Sequence, residues 1–256
     1  MKDDAALLDL AADLASRAAA EILAIRDRGF QVRRKADRSV VTEADDAAEA
    51  VIVGGLRAAM PNCTIVAEEE VAGGKITAAT ADFWLVDPLD GTREFTGGGD
   101  DFAVNIGLVR DGRPVLGVVG VPATGEIFGG IVGVGAWRQT DGVRSAIRVR
   151  GAPAGGLTVV ASRHHGDQGR LDAFLEGRAV AEVVNFGSSL KFCRVAEGRA
   201  DLYPRFGQTM EWDTCSPQAV LEAAGGLVLT LDGLPLRYGK EGWVNPHFVC
   251  WGRRQT

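Results

Sequence analysis

Apolar residues follow a helical spacing at the start of the chain. Within the first 29 residues they recur every three or four positions, at Leu7, Ala11, Leu14, Ala18, Ile22 and Ile25. This period predicts a long amphipathic helix that buries one face. A second helix is predicted from Thr42 to about Met60, because Pro61 and Asn62 follow it and favour a turn.

Short apolar runs between turn residues predict strands over much of the chain that follows. Shorter strands are predicted at CTIVA (63–67) and FWLV (83–86), with a surface loop at 73–80 between them. The longer runs are FAVNIGLV (102–109), PVLGVVGVP (114–122), GEIFGGIVG (125–133), GAWRQ (135–139) and AIRVR (146–150). Asp-Gly turns separate several of these runs, which is typical of an antiparallel meander. Helices that precede such a sheet predict an α+β arrangement.

Strands and helices alternate after the segment GAPAGG (151–156). The predicted strands are 157–162, 180–186, 200–206 and 226–231, and the predicted helices lie near 168–177, 188–197 and 214–224. Such alternation is typical of an α/β arrangement. We therefore predict two parts, an α+β half over residues 1–150 and an α/β half over residues 151–256.

Composition and charge exclude several classes of protein. Acidic residues outnumber basic residues by 34 to 28, and the formal net charge of −6 argues against a general binder of nucleic acid polymers. The 4 cysteines form no Cys-x-x-Cys pair, which excludes a zinc ribbon and a dense disulfide framework. The first helix carries acidic residues throughout, so we predict neither a secretory signal nor a transmembrane segment. A cytoplasmic protein is expected.

The strongest candidate for chemistry is the segment Trp84–Thr92. A buried strand ends at Asp87, and the proline and glycine that follow allow a tight turn, so Asp87 and Asp90 are predicted to lie close together. Two carboxylates, the Leu89 carbonyl and the Thr92 hydroxyl are hard oxygen ligands, which suit Mg²⁺ better than zinc. The alternative is an Asp-Pro turn in which Asp90 caps a helix.

Other acidic residues have a structural and a functional interpretation. Glu68–Glu70 follow a predicted strand and could be a solvated loop or could face the Asp87 carboxylate. Asp213 could cap a helix or act as a further metal ligand. Thr42-Glu43-Ala44-Asp45 has the spacing of a capping box, although Asp45 could also accept a hydrogen bond from a reactive hydroxyl.

These motifs appear in an order that resembles the inositol monophosphatase superfamily of Mg²⁺-dependent, lithium-sensitive phosphatases. The matching segments are Lys35-x-Asp37-x-Ser39-x-Val41-Thr42-x-x-Asp45, Glu68-Glu69, Asp87-Pro-Leu-Asp90-Gly-Thr92 and Trp212-Asp213…Ala224-Gly-Gly226. The resemblance covers residues 5–250. It implies a layered α/β/α/β/α sandwich, a site between the two halves, two or three Mg²⁺ ions, and a possible homodimer.

A narrower resemblance is to the 3'(2'),5'-bisphosphate nucleotidase branch of that superfamily. It depends on residues 91–95, 187–193, 200–206, 210–213 and 245–248. Such enzymes hydrolyse 3'-phosphoadenosine 5'-phosphate, a by-product of sulfate activation in sulfur metabolism, to AMP and phosphate. The resemblance therefore implies a small phosphorylated substrate, specifically a nucleotide bisphosphate.

The resemblance also implies roles for individual residues. Metal ligands are expected at Glu68, Asp87, Leu89, Asp90 and Asp213. Glu68 and Thr92 are expected to activate the attacking water, with Asp45 behind Thr92. Substrate contacts are expected at Gly91, Thr92, Ser188, Lys191, Arg205 and Asp213. Without the resemblance, Lys191 and Arg205 would be interpreted as solvated surface charges.

Two features depart from the pattern of the superfamily, and other functions stay open. Residues 96–101 are rich in glycine, and Cys215-Ser216-Pro217 replaces smaller residues, which bears on substrate fit and not on metal binding. Alternative functions are an inositol-phosphate, histidinol-phosphate or sugar-bisphosphate phosphatase, or a non-catalytic regulatory protein on the same fold. The glycines at 129–135 lack the strand-turn-helix setting of a dinucleotide-binding loop.

Overall fold

Helices α1 (Asp4–Arg28) and α2 (Glu43–Ala59) pack side by side on one face of the first sheet. The computed structural model describes residues 3–35, 39–162 and 167–253. All six apolar positions of the predicted stripe in α1 are buried, so that prediction is confirmed. Strands β1 (Val32–Arg34) and β2 (Val40–Thr42) form an antiparallel ribbon before α2. Among the described residues, no helix has both the length and the apolar composition that crossing a bilayer requires.

The first sheet is the predicted meander. Its strands are β3 (Thr64–Ala67), β4 (Asp82–Asp90), β5 (Ala103–Arg110), β6 (Arg113–Val121), β7 (Glu126–Ile131), β8 (Gly135–Thr140) and β9 (Val143–Ile147), in that order. Strand β3 runs parallel to β4 and the others pair antiparallel. The short helix α3 (Glu68–Ala72) follows β3, and α4 (Thr92–Thr96) follows β4. The strand predicted at 146–150 is wrong in position, because β9 starts directly after the Asp141-Gly142 turn.

The second sheet mixes parallel and antiparallel strands. Its elements are β10 (Leu157–Ser162), α5 (Gln168–Leu175), β11 (Val180–Phe186), α6 (Leu190–Ala196), β12 (Leu202–Arg205), α7 (Glu211–Ala223), β13 (Leu227–Thr230) and β14 (Phe248–Trp251). The strand order is β11-β10-β12-β14-β13. Strand β10 pairs parallel with β11 and β12, whereas β14 pairs antiparallel with β12 and β13. Strand β14 was not predicted.

The apolar core shows how these elements stack into layers. One cluster joins α1 and α2 to the first sheet, a second joins both sheets through α6 and α7, and a third joins α5 to the second sheet. The layers therefore follow the order α/β/α/β/α, which confirms the predicted sandwich.

Helix α7 lies against the first sheet, although its sequence falls in the second half of the chain. A Cβ atom on Gly107 would lie 2.7 Å from Cys215 Sγ and 2.8 Å from the Ser216 nitrogen. Glycine at this position therefore lets the α7 backbone approach the strand closely. The change of sheet falls between β9 and β10, and a division into halves at residue 150 stays a prediction.

Candidate active site

A cavity of about 650 Å³ lies where the end of β4 meets α4, α6, β12 and α7. Its lining includes the predicted site residues Glu68, Asp87, Leu89, Asp90, Gly91, Thr92, Ser188, Lys191, Arg205 and Asp213. Asp45 does not line the cavity itself, but it accepts a hydrogen bond from Thr92, which does. The fold thus brings the predicted site residues from both parts of the chain to one place.

The end of β4 is irregular, and this irregularity exposes its ligand atoms. The pairing register between β4 and β5 shifts between Asp87 and Asp90. The Leu89 nitrogen donates a hydrogen bond to Asp87 Oδ1 over 3.0 Å. Gly91 has φ of 93°, and a Cβ atom there would lie 2.9 Å from the Asp101 carbonyl oxygen, so glycine is required. Asp90 does not cap α4, because its Oδ2 accepts a hydrogen bond from the Ser189 nitrogen.

Glu68, Asp87 and Asp213 form an acidic cluster. In the described ranges, these side chains each offer a carboxylate oxygen, and the oxygens lie within 4.8 Å of one another. Burial raises the pKa of Asp87 and of Asp213 well above the ordinary value, and the neighbouring carboxylates raise both further. Carboxylates this close favour either protonation or a bound cation. Hard oxygen donors fit Mg²⁺, so the residues present suit the metal expected from the sequence.

The N-cap position expected for Asp213 is wrong, because Met210 is the N-cap and Asp213 is the third residue of α7. Its Oδ2 accepts a hydrogen bond from the Met210 nitrogen over 2.9 Å, which caps the start of α7. The residue also lines the cavity and belongs to the acidic cluster. A helix N-terminus favours nearby negative charge, so capping and ligation support each other at this position.

Asp45 also has two partners, one for each carboxylate oxygen. Its Oδ2 accepts from the nitrogen and the hydroxyl of Thr42, both over 2.8 Å, and this caps α2. Its Oδ1 lies 3.1 Å from Thr92 Oγ1, which is also 3.1 Å from the Leu89 carbonyl oxygen. Burial raises the pKa of Asp45 to about 6. Both sequence interpretations of Asp45 therefore describe the same side chain.

Lys35 is placed beside the acidic cluster. Its Nζ lies 2.7 Å from Glu68 Oε1 and 2.7 Å from Glu69 Oε1. Burial acts to lower the pKa of Lys35, but these carboxylates outweigh burial and raise it. The solvated interpretation is wrong for Glu69, whose ion-paired side chain is 11% exposed. Its neighbour Glu70 forms exposed hydrogen bonds with Arg57 and Lys75.

Glu49 supports the site and was not predicted from the sequence. Its oxygens accept hydrogen bonds from the nitrogens of Glu69 and Glu70 over 2.7 and 2.8 Å, which fixes the start of α3. Burial raises its pKa to about 7. The available signal was its spacing, since Glu49 lies one helical turn after Asp45 on the same face of α2.

Two basic residues also line the cavity. Lys191 is 3% exposed and Arg205 is 9% exposed, so the solvated interpretation is wrong for both. Lys191 Nζ donates to the carbonyls of Phe186 and Ser188, and burial lowers its pKa to about 8. Arg205 Nη2 donates to the Gln208 carbonyl over 3.1 Å, while its buried Nε lacks a partner within the described residues.

Ser188 adopts a strained backbone, with φ of 43°, at the point where the chain enters α6. Strain of this kind persists where the surrounding structure requires it, often at a ligand site. Asp37, from the first of the matching segments, lies outside the described residues, as do His164 and His165.

The segment after β13 anchors the start of α7. Glu211 is fully buried, and its carboxylate accepts from the nitrogens of Gly239 and Lys240 over 2.7 and 2.9 Å. Asn245 Nδ2 donates to the Met210 carbonyl over 2.7 Å and to Thr214 Oγ1 over 3.0 Å. These bonds fix the helical turn that carries Asp213. The motif that starts at Asn245 therefore has a structural role beside the cavity.

Comparison with known proteins assigns the family. The profile of the inositol monophosphatase family matches residues 3–253. The chain belongs to this family. The 3'(2'),5'-bisphosphate nucleotidase CysQ of Escherichia coli K12 is 42% identical over 245 residues, which cover 94% of this chain and 98% of that protein. The resemblance drawn from the motifs is thereby confirmed.

Solved structures of this family share the fold. CysQ from Bacteroides thetaiotaomicron superposes with a TM-score of 0.83 at 33% identity, covering 98% of each chain. An inositol monophosphatase from Anabaena gives a TM-score of 0.77 at 27% identity, covering 98% of this chain and 92% of the other. The inositol monophosphatase family consists of metal-dependent phosphatases, and this chain has the acidic cluster that metal dependence requires.

Proposed function

We propose that this member of the inositol monophosphatase family is a Mg²⁺-dependent phosphomonoesterase that hydrolyses 3'-phosphoadenosine 5'-phosphate to AMP and phosphate. The observation that supports this proposal best is the cavity, which is lined both by the acidic cluster and by the buried cations Lys191 and Arg205. The 42% identity to a protein named as a 3'(2'),5'-bisphosphate nucleotidase supports this substrate over other phosphate esters.

The proposed function includes two or three Mg²⁺ ions bound in this cavity. These ions would be held by Glu68, Asp87, the Leu89 carbonyl, Asp90 and Asp213. Mg²⁺ supplies Lewis-acid stabilisation of phosphoryl oxygens and lowers the pKa of a bound water. The raised pKa of Asp87 and Asp213 supports this assignment, because a divalent cation relieves the repulsion between their carboxylates.

Glu68, Thr92 and Asp45 would prepare the attacking water. Thr92 donates its hydroxyl proton toward Asp45 Oδ1, which leaves the oxygen of that hydroxyl free to accept from a water. Glu68 would take the proton as the water oxygen bonds to phosphorus and the phosphorus–oxygen bond to the ribose breaks. The released ribose oxygen then takes a proton from solvent. This in-line displacement needs no covalent phosphoenzyme.

Lys191 and Arg205 would bind the phosphate that is not hydrolysed. Arginine offers a planar fork of donors and lysine a point charge, and both suit a phosphate. The buried Arg205 Nε has no partner among the described residues, so it is available to an anion in the cavity. A substrate with a second phosphate would therefore supply an acceptor for Arg205 Nε, which a monophosphate of inositol would leave without one.

Phosphate release tests the proposal directly. We would measure it at excess Mg²⁺ from 3'-phosphoadenosine 5'-phosphate, inositol 1-phosphate and histidinol phosphate, each with and without EDTA or lithium. We expect the nucleotide to give the dominant signal and both additions to suppress it. A dominant signal from another substrate would contradict the nucleotide assignment, and release from none would favour the regulatory alternative.

Substrate affinity should depend on pH through Lys191. Since its pKa lies at about 8, the side chain is charged below that pH and neutral above it. We expect KM for the nucleotide to rise by up to about tenfold for each pH unit above 8. The measurement is KM between pH 7 and pH 9.5 for the wild type and for Lys191→Met. The variant should have a higher KM throughout and a flatter profile, and equal slopes would contradict the assignment.

The homodimer, the cytoplasmic location and the place in sulfur metabolism expected from the sequence stay predictions.

A further inference from the structure

Asn105 lies fully buried next to the acidic cluster, although it belongs to an otherwise apolar strand. It pairs directly with Asp87 across strands β4 and β5. Directly paired residues on antiparallel strands project from the same face of the sheet, so the two side chains are neighbours. Gly107, two residues further along β5, shares that face and lies against α7. The Asn105 amide is therefore enclosed between the metal-ligand strand and the helix that carries Asp213.

The carbonyl oxygen of Asn105 joins two separate elements. Ser189 Oγ donates to it over 2.9 Å, and Ser216 Oγ donates to it over 3.2 Å. Ser189 precedes α6 and gives its backbone N–H to Asp90. Ser216 lies one helical turn after Asp213 on α7. One amide oxygen thus links the segments that position two of the expected ligands.

The amide nitrogen of Asn105 has no acceptor within the described part of the chain. A buried donor without an acceptor is unfavourable, so its presence in an otherwise apolar strand requires an explanation. The side chain directly across the strand pair is that of Asp87, a member of the acidic cluster.

We propose that Asn105 is a positioning residue of the metal site, which holds the segment that bonds Asp90 and the helix that carries Asp213 against the strand that carries Asp87. This inference rests on the proposed metal dependence but adds a residue that has no ligand atom of its own in the cluster. Hydrogen-bonding partners of metal ligands typically change metal affinity by about 10–100-fold when they are removed.

Mg²⁺ binding to the substrate-free chain, measured by calorimetry, tests this role apart from catalysis. Asn105→Leu keeps the approximate size and removes both hydrogen-bonding groups. We expect its Kd for Mg²⁺ to rise by about 10–100-fold. Leu56→Ala is the matched control, because it perturbs the buried core between α2 and the first sheet and not the site. Its Kd should stay within about twofold of the wild type, since Leu56 lies in the apolar core and, among the described residues, makes no hydrogen bond to the segments that carry the expected ligands.

The outcomes separate the two proposals. Absence of Mg²⁺ binding by the wild type would contradict the metal site itself. Wild-type affinity in Asn105→Leu, or an equal loss in Leu56→Ala, would overturn only the positioning role. If Asn105→Leu does not fold, Ser189→Ala decides, because it removes one link to Asn105 and keeps the backbone donor to Asp90. A weaker Mg²⁺ affinity in Ser189→Ala supports the role, and an unchanged affinity overturns it.

Discussion

Asp87→Asn is expected to abolish phosphate release while the protein stays folded. The substitution removes one of the three carboxylates of the acidic cluster and leaves those of Glu68 and Asp213. Turnover should therefore fall by at least about 10³-fold. Stability should change in the opposite direction in the absence of metal. The pKa of Asp87 is raised by burial and by neighbouring carboxylates, so its ionised form destabilises the metal-free fold.

The direction of this change in stability follows from how the folded and the unfolded chain bind the Asp87 proton. The folded chain binds the Asp87 proton more tightly than the unfolded chain, so the wild type loses stability as the pH rises above the ordinary range of a carboxyl. The variant lacks this contribution. In EDTA at pH 7.5 it should unfold at a higher temperature, by about 2–4 °C for each kcal/mol of repulsion relieved.

Phosphate release checks the predicted loss of turnover, and thermal unfolding with and without Mg²⁺ checks the predicted change in stability. Added Mg²⁺ should stabilise the wild type by mass action and leave Asp87→Asn nearly unchanged. Asp82→Asn, at the exposed start of the same strand, is the matched control and should keep its activity and its response to Mg²⁺. Activity in Asp87→Asn would contradict the metal assignment, and a lower unfolding temperature than the wild type in EDTA would contradict the repulsion inferred at Asp87.

Thr92→Val should lower kcat by about 10²–10⁴-fold, the range typical of groups that assist proton transfer. Valine has the shape of threonine but cannot donate to Asp45 or accept from a water. The loss should therefore come from the hydroxyl and not from packing. Thr92→Ser keeps the hydroxyl and should retain kcat within about tenfold, since the group that assists proton transfer is still present.

Thr96→Val gives a matched control on the same short helix. Its hydroxyl donates to the Arg93 carbonyl at an exposed position, away from Asp45. Single-turnover phosphate release should place Thr96→Val near the wild type and Thr92→Val far below it. Similar rates for the two valine variants would show that the Thr92 hydroxyl takes no part in the reaction.

Elements with a regular amphipathic or apolar pattern could be predicted from the sequence. The apolar stripe predicted in α1 agrees with the structure because it marks the face of the helix that is packed. The predicted bounds of β10 and β11 agree because clear turn residues flank both strands. Strand β9 was misplaced because most of its residues are exposed, so no buried face marks its start. Strand β14 was missed because a run of four mostly buried residues carries no period that distinguishes a strand from a loop.

The candidate site, too, could be predicted only where it depends on neighbouring positions in the sequence. Asp87 and Asp90 could be predicted as neighbours because they lie three positions apart in one tight turn. Asn105 could not, because its place opposite Asp87 depends on the register of β4 against β5. Its amide in an apolar strand was the available signal. Register is fixed by the packing of whole strands, so a local pattern does not determine which polar side chain lies behind a ligand.

Helix α7 has a consequence for how the chain is assembled during synthesis. It leaves the ribosome long after the first sheet, yet it covers the face of that sheet at Gly107 and brings Asp213 to Asp87. A nascent chain that ends before Glu211 therefore presents an uncovered apolar face and an incomplete set of carboxylates. Binding of a cation by the full set of carboxylates therefore has to wait until α7 has been synthesised. Until then, the exposed apolar face makes the unfinished chain prone to aggregation and dependent on chaperones.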